Sequence, residues 1–422
     1  MRKVPLSKLP EPRALARGLY ADGEEFVALL ESGMGYAERS RYTLVAWGVA
    51  EKYVSWGPDV YKMAYTAYKK IRQFNSPFGG DVVIGAVSYD ASAYIEPLLL
   101  RYGKVDKTLP AAFFIKPEGW VLYDKLLGRA YIYGELPALK SGGVDSPRVR
   151  GPVAGTDDSS FKRWVAEAKR RIEEGEIFQV VLSRHVDFAV DGDLFSLYTS
   201  MASINPSPYM YFIKWRGLYL LGTSPELLVK VQGDRAETHP IAGTRPRGAT
   251  EEEDLALEED MLQDEKELAE HYMLVDLARN DLGRVCRPGT VKVDELFAVE
   301  KYSRVQHIVS RVLCVLEKKA TPVDALFATH PAGTVSGAPK VRAMEIIAEL
   351  EDEPRGYYAG SVGFLSPNMS EFAIVIRTAI VKDGLLRLQA GAGVVYDSTP
   401  EREFRETEAK LKALKEALGL WT

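Results

Sequence analysis

Two Glu-x-x-Glu pairs, Glu267/Glu270 and Glu403/Glu406, are the residues whose type and spacing most directly promise chemistry in this chain. Each lies in a stretch of helical composition, residues 264–279 and 401–414, and residues three apart on a helix share a face. If the two faces meet, four carboxylates converge and repel one another unless a hard cation lies between them. A single pair of this kind is more often a solvated helix face, so the weight falls on the surrounding residues. His307 is one of five histidines. Strand alternation puts it with Val309 and Arg311 on one face, where a neutral imidazole beside carboxylates can move protons. Arg377 interrupts the apolar run 372–380, and a buried guanidinium requires an anion. Gly-rich turns at 240–248, 332–340 and 390–393 offer backbone amides that hold carboxylates or phosphates. A dianionic small molecule, gripped by a metal at one end and by Arg377 at the other, satisfies all of these features.

Positioning such groups takes a large scaffold. Short strand signals at 42–47, 82–88 and 119–123 precede a Gly/Pro/Ser/Asp-rich passage at 141–160, the best linker candidate. Further strands are expected at 178–184, 209–214, 218–223, 227–231, 304–316, 361–365, 372–381 and 385–390. Helices are expected at 59–74, 161–174, 250–279, 337–351 and the C-terminus, with Thr250-x-x-Glu253 as a capping box. Strands in runs rather than in strict alternation with helices predict an α+β fold of antiparallel sheets with helices outside. The expected division is an N-terminal region, 1–150, and a catalytic region, 151–422, that interleave.

The chain has 422 residues, 46% hydrophobic and 27% charged, with a net charge of −5, and no Lys/Arg cluster offers a nucleic-acid footprint. No apolar run reaches membrane-spanning length and the N-terminus lacks the apolar segment of a signal peptide, so a cytoplasmic protein is expected. Two cysteines, Cys286 and Cys314, cannot build a disulfide framework and lack metal-ligand spacing. Sparse Asn and Gln beside abundant Glu, Arg and Lys are in keeping with a heat-adapted source.

The motifs Asp264-x-Lys-Glu-x-Ala-Glu-His271, Met273-Leu-Val-Asp-Leu-Ala-Arg-Asn-Asp-Leu-Gly283, His307-Ile-Val-Ser310, Gly333-Thr-Val-Ser-Gly-Ala-Pro-Lys340, Ile376-Arg377 and Gly391-Ala-Gly393 together resemble the chorismate-utilising enzymes, in the family's order and over essentially the whole chain. The resemblance implies two large antiparallel sheets packed as a sandwich. It implies Mg2+ held by Glu270 and Glu406, with Glu267 and Glu403 in support, and the ring carboxylate of chorismate on the metal near Lys410. The enolpyruvyl carboxylate would meet Tyr358, Arg377 and the backbone of Gly391, Ala392 and Gly393, while Gly243, Thr244 and Thr334 match substrate-contacting positions. Glu226 matches the general acid for the departing C4 hydroxyl, and that role requires a raised pKa. His307 matches the histidine implicated in loss of pyruvate.

Two positions sort the family's reactions. Gln179 stands where water-using members carry a lysine base, and an amide cannot deprotonate water. Ala242 stands where aminodeoxychorismate synthases carry a lysine. Both point to ammonia as nucleophile and to an anthranilate-forming, Mg-dependent enzyme at the first committed step of tryptophan biosynthesis. An aminodeoxychorismate synthase and a non-catalytic tryptophan-sensing paralogue are the alternatives. Leu29-Leu-Glu-Ser32 and Asn205-Pro-Ser-Pro-Tyr-Met210 resemble the family's tryptophan feedback site, with Glu31 on the amino group and Ser32, Arg41, Pro208, Tyr209 and Met210 lining the rest. No amidotransferase Cys–His pair can be assembled from Cys286 and Cys314, so a separate glutamine amidotransferase subunit is implied, in a heterotetramer.

Overall fold

The computed structural model describes residues 1–33, 41–139, 145–302 and 305–420. Two antiparallel sheets, of twelve and ten strands, dominate it. In the first, Phe26–Glu31 pairs with Tyr209–Trp215, which is followed by Leu218–Ser224, Thr378–Lys382, Leu385–Val394 and Gln179–Asp191. In the second, Val83–Val87 pairs with Ser361–Leu365, followed by Met369–Ile374, Leu227–Gln232, Arg235–Thr238 and Val305–Val315. Each sheet therefore takes strands from both sides of residue 150.

Strand alternation builds two cores from one sheet. Phe26 and Ala28 face the inter-sheet core with Ile84 and Phe113. Val27 and Leu29, one residue out of phase, pack with Leu15, Phe195 and Leu414 from helices Pro12–Ala21, Leu194–Ile204 and Pro400–Ala417. The central strands of the first sheet are thus buried on both faces and read as continuous apolar runs, whereas Arg2–Pro5 and Arg148–Gly155 at its margins stay largely exposed.

Several expected elements divide where local chemistry overrides periodicity. The helix expected at 250–279 is two, Glu251–Gln263 and Glu265–Gly283. Asp264 leaves helical geometry and its carboxylate accepts from the amides of Lys266 and Glu267, capping the second helix. Thr250 accepts from the Glu253 amide, while the Glu253 carboxylate reaches the amide of Ala249. The strand expected at 372–381 is also two, Met369–Ile374 in the second sheet and Thr378–Lys382 in the first. Arg377 is therefore not a strand residue: it sits in the crossing, with φ 50°. The helix expected from Gly337 begins at Lys340, after Pro339. Within the linker passage, Arg148–Gly155 is a strand on Gln179–Asp191; residues 141–144 and Arg304 lie outside the described residues. The cysteines meet, too. Cys286, just past helix Glu265–Gly283, is disulfide-bonded to Cys314 of strand Val305–Val315, a contact that sequence spacing does not disclose.

Arg355 and Glu351 tie the elements around the first sheet's C-terminal strands. The guanidinium is buried, donates twice to Glu351, and reaches the carbonyls of Val335 (2.8 Å) and Val181 (2.6 Å). Glu351 also accepts from the Ser183 amide and hydroxyl. Removing one member leaves a buried charge bare. Arg355→Ala is expected to lose about 3–5 kcal/mol of stability, read as a fall in urea midpoint, and an unchanged midpoint overturns this account.

Candidate active site

The two Glu pairs meet. Glu267 and Glu270 lie on helix Glu265–Gly283, and Glu403 and Glu406 on helix Pro400–Ala417. Burial raises the pKa of Glu270, and the charges of Glu267, Glu406 and Glu403 add to that rise, the signature of four carboxylates facing one another. Burial also raises Glu403, with Glu406 contributing and Ser398 opposing. Each carboxylate has a protein donor. Arg245 holds Glu267 (3.0 Å), Gln179 Nε2 donates to Glu270 (2.6 Å), and Lys410 donates to Glu406 (2.7 Å). Among the described residues no three His, Cys, Asp or Glu side chains close into a metal cage. The cluster is nonetheless an all-oxygen donor set whose mutual repulsion these donors only partly relieve, the chemistry that suits a hard divalent cation.

Gln179 opens strand Gln179–Asp191 opposite Ala338, one residue before Val180 pairs with Val394. Its amide must donate to Glu270, because a carboxylate only accepts. That leaves Oε1 buried with no partner. Strand Leu385–Val394 brings Gly391, Ala392 and Gly393 alongside. Lys410 donates to the Gly391 carbonyl at 2.8 Å. A β-carbon at Gly391 would stand 2.8 Å from the Tyr358 hydroxyl, so only glycine lets that buried phenol approach the strand. Ala392 is fully buried and offers its backbone alone.

The other end of the cluster is drier. Glu226 follows strand Leu218–Ser224, is buried, and has its pKa pushed up to about 8 by burial. The Thr334 hydroxyl, the Ile241 amide and the charge of Arg377 oppose that rise. Thr334 Oγ1 lies beside the carboxyl but completes no hydrogen bond. His307 is held by its Nδ1, 3.0 Å from the Gly243 carbonyl and 3.0 Å from Thr244 Oγ1. A carbonyl only accepts, so Nδ1 carries the proton and Nε2 keeps its lone pair. Nε2 is buried without a partner. Burial, with Arg377 and Lys410 nearby, lowers its pKa to about 4. The imidazole is therefore neutral across the physiological range and does not titrate near pH 7. The unpartnered atoms of Gln179 and His307, with the Thr334 hydroxyl beside Glu226, are polar groups available to a ligand.

The field of Arg377 acts on both Glu226 and His307, and that of Lys410 on both His307 and Glu403. These overlaps chain the expected site residues together. The cavity beside Glu226 and Thr334 is only about 30 Å3, whereas Glu406 and Lys410 are about half exposed, so the carboxylate end is the one open to solvent. Arg245, the Glu351–Arg355 pair and Ser398 escaped the sequence reading. Arg245 directly follows Gly243-Thr244 and could have been suspected; the others carry no local signal. Lys340 of the Gly-Ala-Pro-Lys motif pairs with Asp281 instead of facing the cluster.

A second cavity, about 540 Å3, lies between the sheets and is lined by Glu31, Ser32, Arg41, Pro208, Tyr209 and Met210 among others. Register sets Met210 opposite Glu31. Ser32 Oγ is buried without a partner. Glu31 already accepts from Arg13 (2.8 Å) and Tyr198 (2.6 Å), and Arg41 is tied to Asp124.

Residues 28–416 match the family model described as chorismate binding enzyme. Anthranilate synthase component 1 of Aeropyrum pernix is 48% identical over 99% of this chain and 96% of its own length. That of Saccharolobus solfataricus is 46% identical over the whole of both. Among solved structures, anthranilate synthase component I from Streptococcus pneumoniae superposes with a TM-score of 0.77 at 34% identity, covering 89% of this chain and 92% of that one. The menaquinone-specific isochorismate synthase from Escherichia coli, at 21% identity and a TM-score of 0.77 over 99% and 94% of the two chains, shares the fold. With a family match over nearly its full length and relatives this close, the chain belongs to the chorismate-binding enzymes, in the group of anthranilate synthase component 1.

Proposed function

We propose that this chain converts chorismate and ammonia to anthranilate and pyruvate, as the large subunit of an anthranilate synthase under tryptophan control. The observation that carries the reading is the burial of Glu226, which pushes its pKa up to about 8, within the field of Arg377 and linked through the fields of Arg377 on His307 and of Lys410 on His307 and Glu403 to the four-carboxylate cluster. A neutral carboxyl can give its proton to the C4 hydroxyl as it leaves as water, and Arg377 is suited to an anionic substituent beside it. Ammonia adds at C2 through its own lone pair. Gln179, an amide fixed on Glu270, offers no base to activate water, which favours ammonia. Loss of pyruvate then requires removal of the C2 proton with transfer of a proton to the departing enolpyruvyl carbon. The lone pair of His307 Nε2 is suited to the first of these transfers.

Glu270 and Glu406 would hold Mg2+, with Glu267 and Glu403 bound directly or through water, and the ion would supply positive charge for the ring carboxylate. Lys410 and Arg245 now neutralise part of the cluster. Tyr358, Gly391, Ala392 and Gly393, with Gly243, Thr244 and Thr334, would frame the substrate. Absence of a lysine at Ala242 favours anthranilate over aminodeoxychorismate as product. The 540 Å3 cavity has the size and mixed polarity for a tryptophan molecule. The orphaned Ser32 hydroxyl offers it a polar contact, and Glu31 would share its carboxylate between Arg13, Tyr198 and the ligand's amino group. A separate glutamine amidotransferase subunit would supply ammonia in a heterotetramer in the cytoplasm.

Incubated with chorismate, magnesium and ammonium, the protein is expected to generate anthranilate fluorescence that a chelator abolishes. Folded protein that makes none refutes the reading. Glu270→Gln is expected to cut magnesium-dependent turnover by at least about 1000-fold, since it removes a ligand and an essential charge. Because Glu226 must be protonated to act, kcat/KM per free ammonia should fall as pH rises through about 8; a flat profile between pH 6 and 9 contradicts its assignment as acid. Glu31→Ala should raise the tryptophan concentration for half-inhibition more than about tenfold, and a protein that keeps full sensitivity removes Glu31 from the effector site.

A further inference from the structure

Tyr211 follows Met210 in strand Tyr209–Trp215 and forms part of the wall of the 540 Å3 cavity, yet it is almost wholly buried. Its ladder partner is Gly222, and the partner of Gly222 on the next strand is Thr378. A β-carbon at Gly222 would sit 2.1 Å from the Tyr211 ring. The ring therefore lies across the glycine, and its hydroxyl reaches Thr378 Oγ1, two strands away, at 2.6 Å. Strands stand about 4.8 Å apart, so only a long side chain crossing a residue without one can make that bond.

The direction of the chain of bonds is fixed. Thr378 Oγ1 approaches the Ile376 carbonyl at 2.8 Å, where it can only donate. It must then accept from Tyr211, whose phenol burial keeps protonated. Ile376 and Thr378 flank Arg377, the residue at positive φ in the crossing between the sheets. The Arg377 carbonyl accepts from the Thr223 amide at 3.1 Å. An arginine in left-handed geometry persists only where neighbours hold it there, and here the clamps are Thr223 on one side and the Tyr211–Thr378 bond on the other.

We propose that Tyr211 is a positioning residue for Arg377, and that through it the contents of the inter-sheet cavity are felt at the chorismate site. Tyr211 touches no substrate; it sets the backbone from which the Arg377 guanidinium projects. A ligand that fills the cavity presses on the same ring. The coupling to regulation rests on the tryptophan reading of the cavity, whereas the positioning role does not.

The test uses the full chain with magnesium. Chorismate affinity by calorimetry, kcat and KM, and half-inhibition by tryptophan are measured for Tyr211→Phe, Thr378→Val, the double variant and Thr378→Ser. Loss of one hydrogen bond that orients a charged group predicts chorismate binding weaker by about 5–20-fold in Tyr211→Phe, with kcat within about twofold. Thr378→Val should match it, the double variant should be no worse than either, and Thr378→Ser should behave as the parent. Half-inhibition by tryptophan should shift at least threefold in Tyr211→Phe. Unchanged chorismate affinity in a Tyr211→Phe protein of normal melting temperature, or independent losses that multiply in the double variant, overturns the positioning role. Weakened chorismate with unaltered tryptophan potency overturns the coupling. A parent protein indifferent to tryptophan overturns the coupling by way of the cavity reading, and the calorimetry still decides the positioning role even if no anthranilate is formed.

Discussion

The buried pair Arg355–Glu351 is the interaction on which the rest of the site's geometry depends. Through it the turn containing Thr334, the strand opened by Gln179, and Ser183, which also accepts from Gln389 on the strand of Gly391, share one charged knot. The guanidinium also lies over the rings of Tyr89 (4.7 Å) and Tyr358 (5.7 Å). A buried ion pair adds little net stability against a well-packed apolar replacement. Its directional bonds nevertheless fix how four elements sit relative to one another, which apolar packing does less exactingly.

Around that knot, burial assigns protonation states. At one end it makes a neutral acid of Glu226 and a neutral base of His307. At the other it brings together carboxylates that the field of their neighbours keeps from being comfortable. The same physical term, loss of water, thus prepares one end to exchange protons and the other to attract a cation. The donors Gln179, Arg245 and Lys410 moderate the repulsion enough for the helices to pack.

Much of this was legible in the sequence because the chemistry is carried by types that stand out. Glu pairs on helices, glycine turns and an arginine within an apolar run announce themselves, and the strand runs gave the α+β class. Periodicity failed where a single side chain outbids it. Asp264 caps a helix in mid-run, and Arg377 marks a change of sheet in what reads as one strand. Arg355 and Glu351 carry no local signal, since burial is a property of the assembled layers. The contact of Cys286 with Cys314, and the reach of Tyr211 across Gly222, depend on register between distant strands.

Sheets shared between the two ends of the chain also govern how the protein is born. Strand Phe26–Glu31 pairs early with Tyr42–Trp47, but its other edge meets Tyr209–Trp215 only after some 180 further residues have been made; Val83–Val87, paired with Ala112–Lys116, likewise waits on one edge for Ser361–Leu365. At about 5–20 residues per second, the early strands leave the ribosome on the order of ten seconds or more before they can be covered. During that interval their apolar faces and open edges are available to any other chain. Synthesis rate and chaperone supply are therefore expected to bear on yield alongside the stability of the finished sandwich.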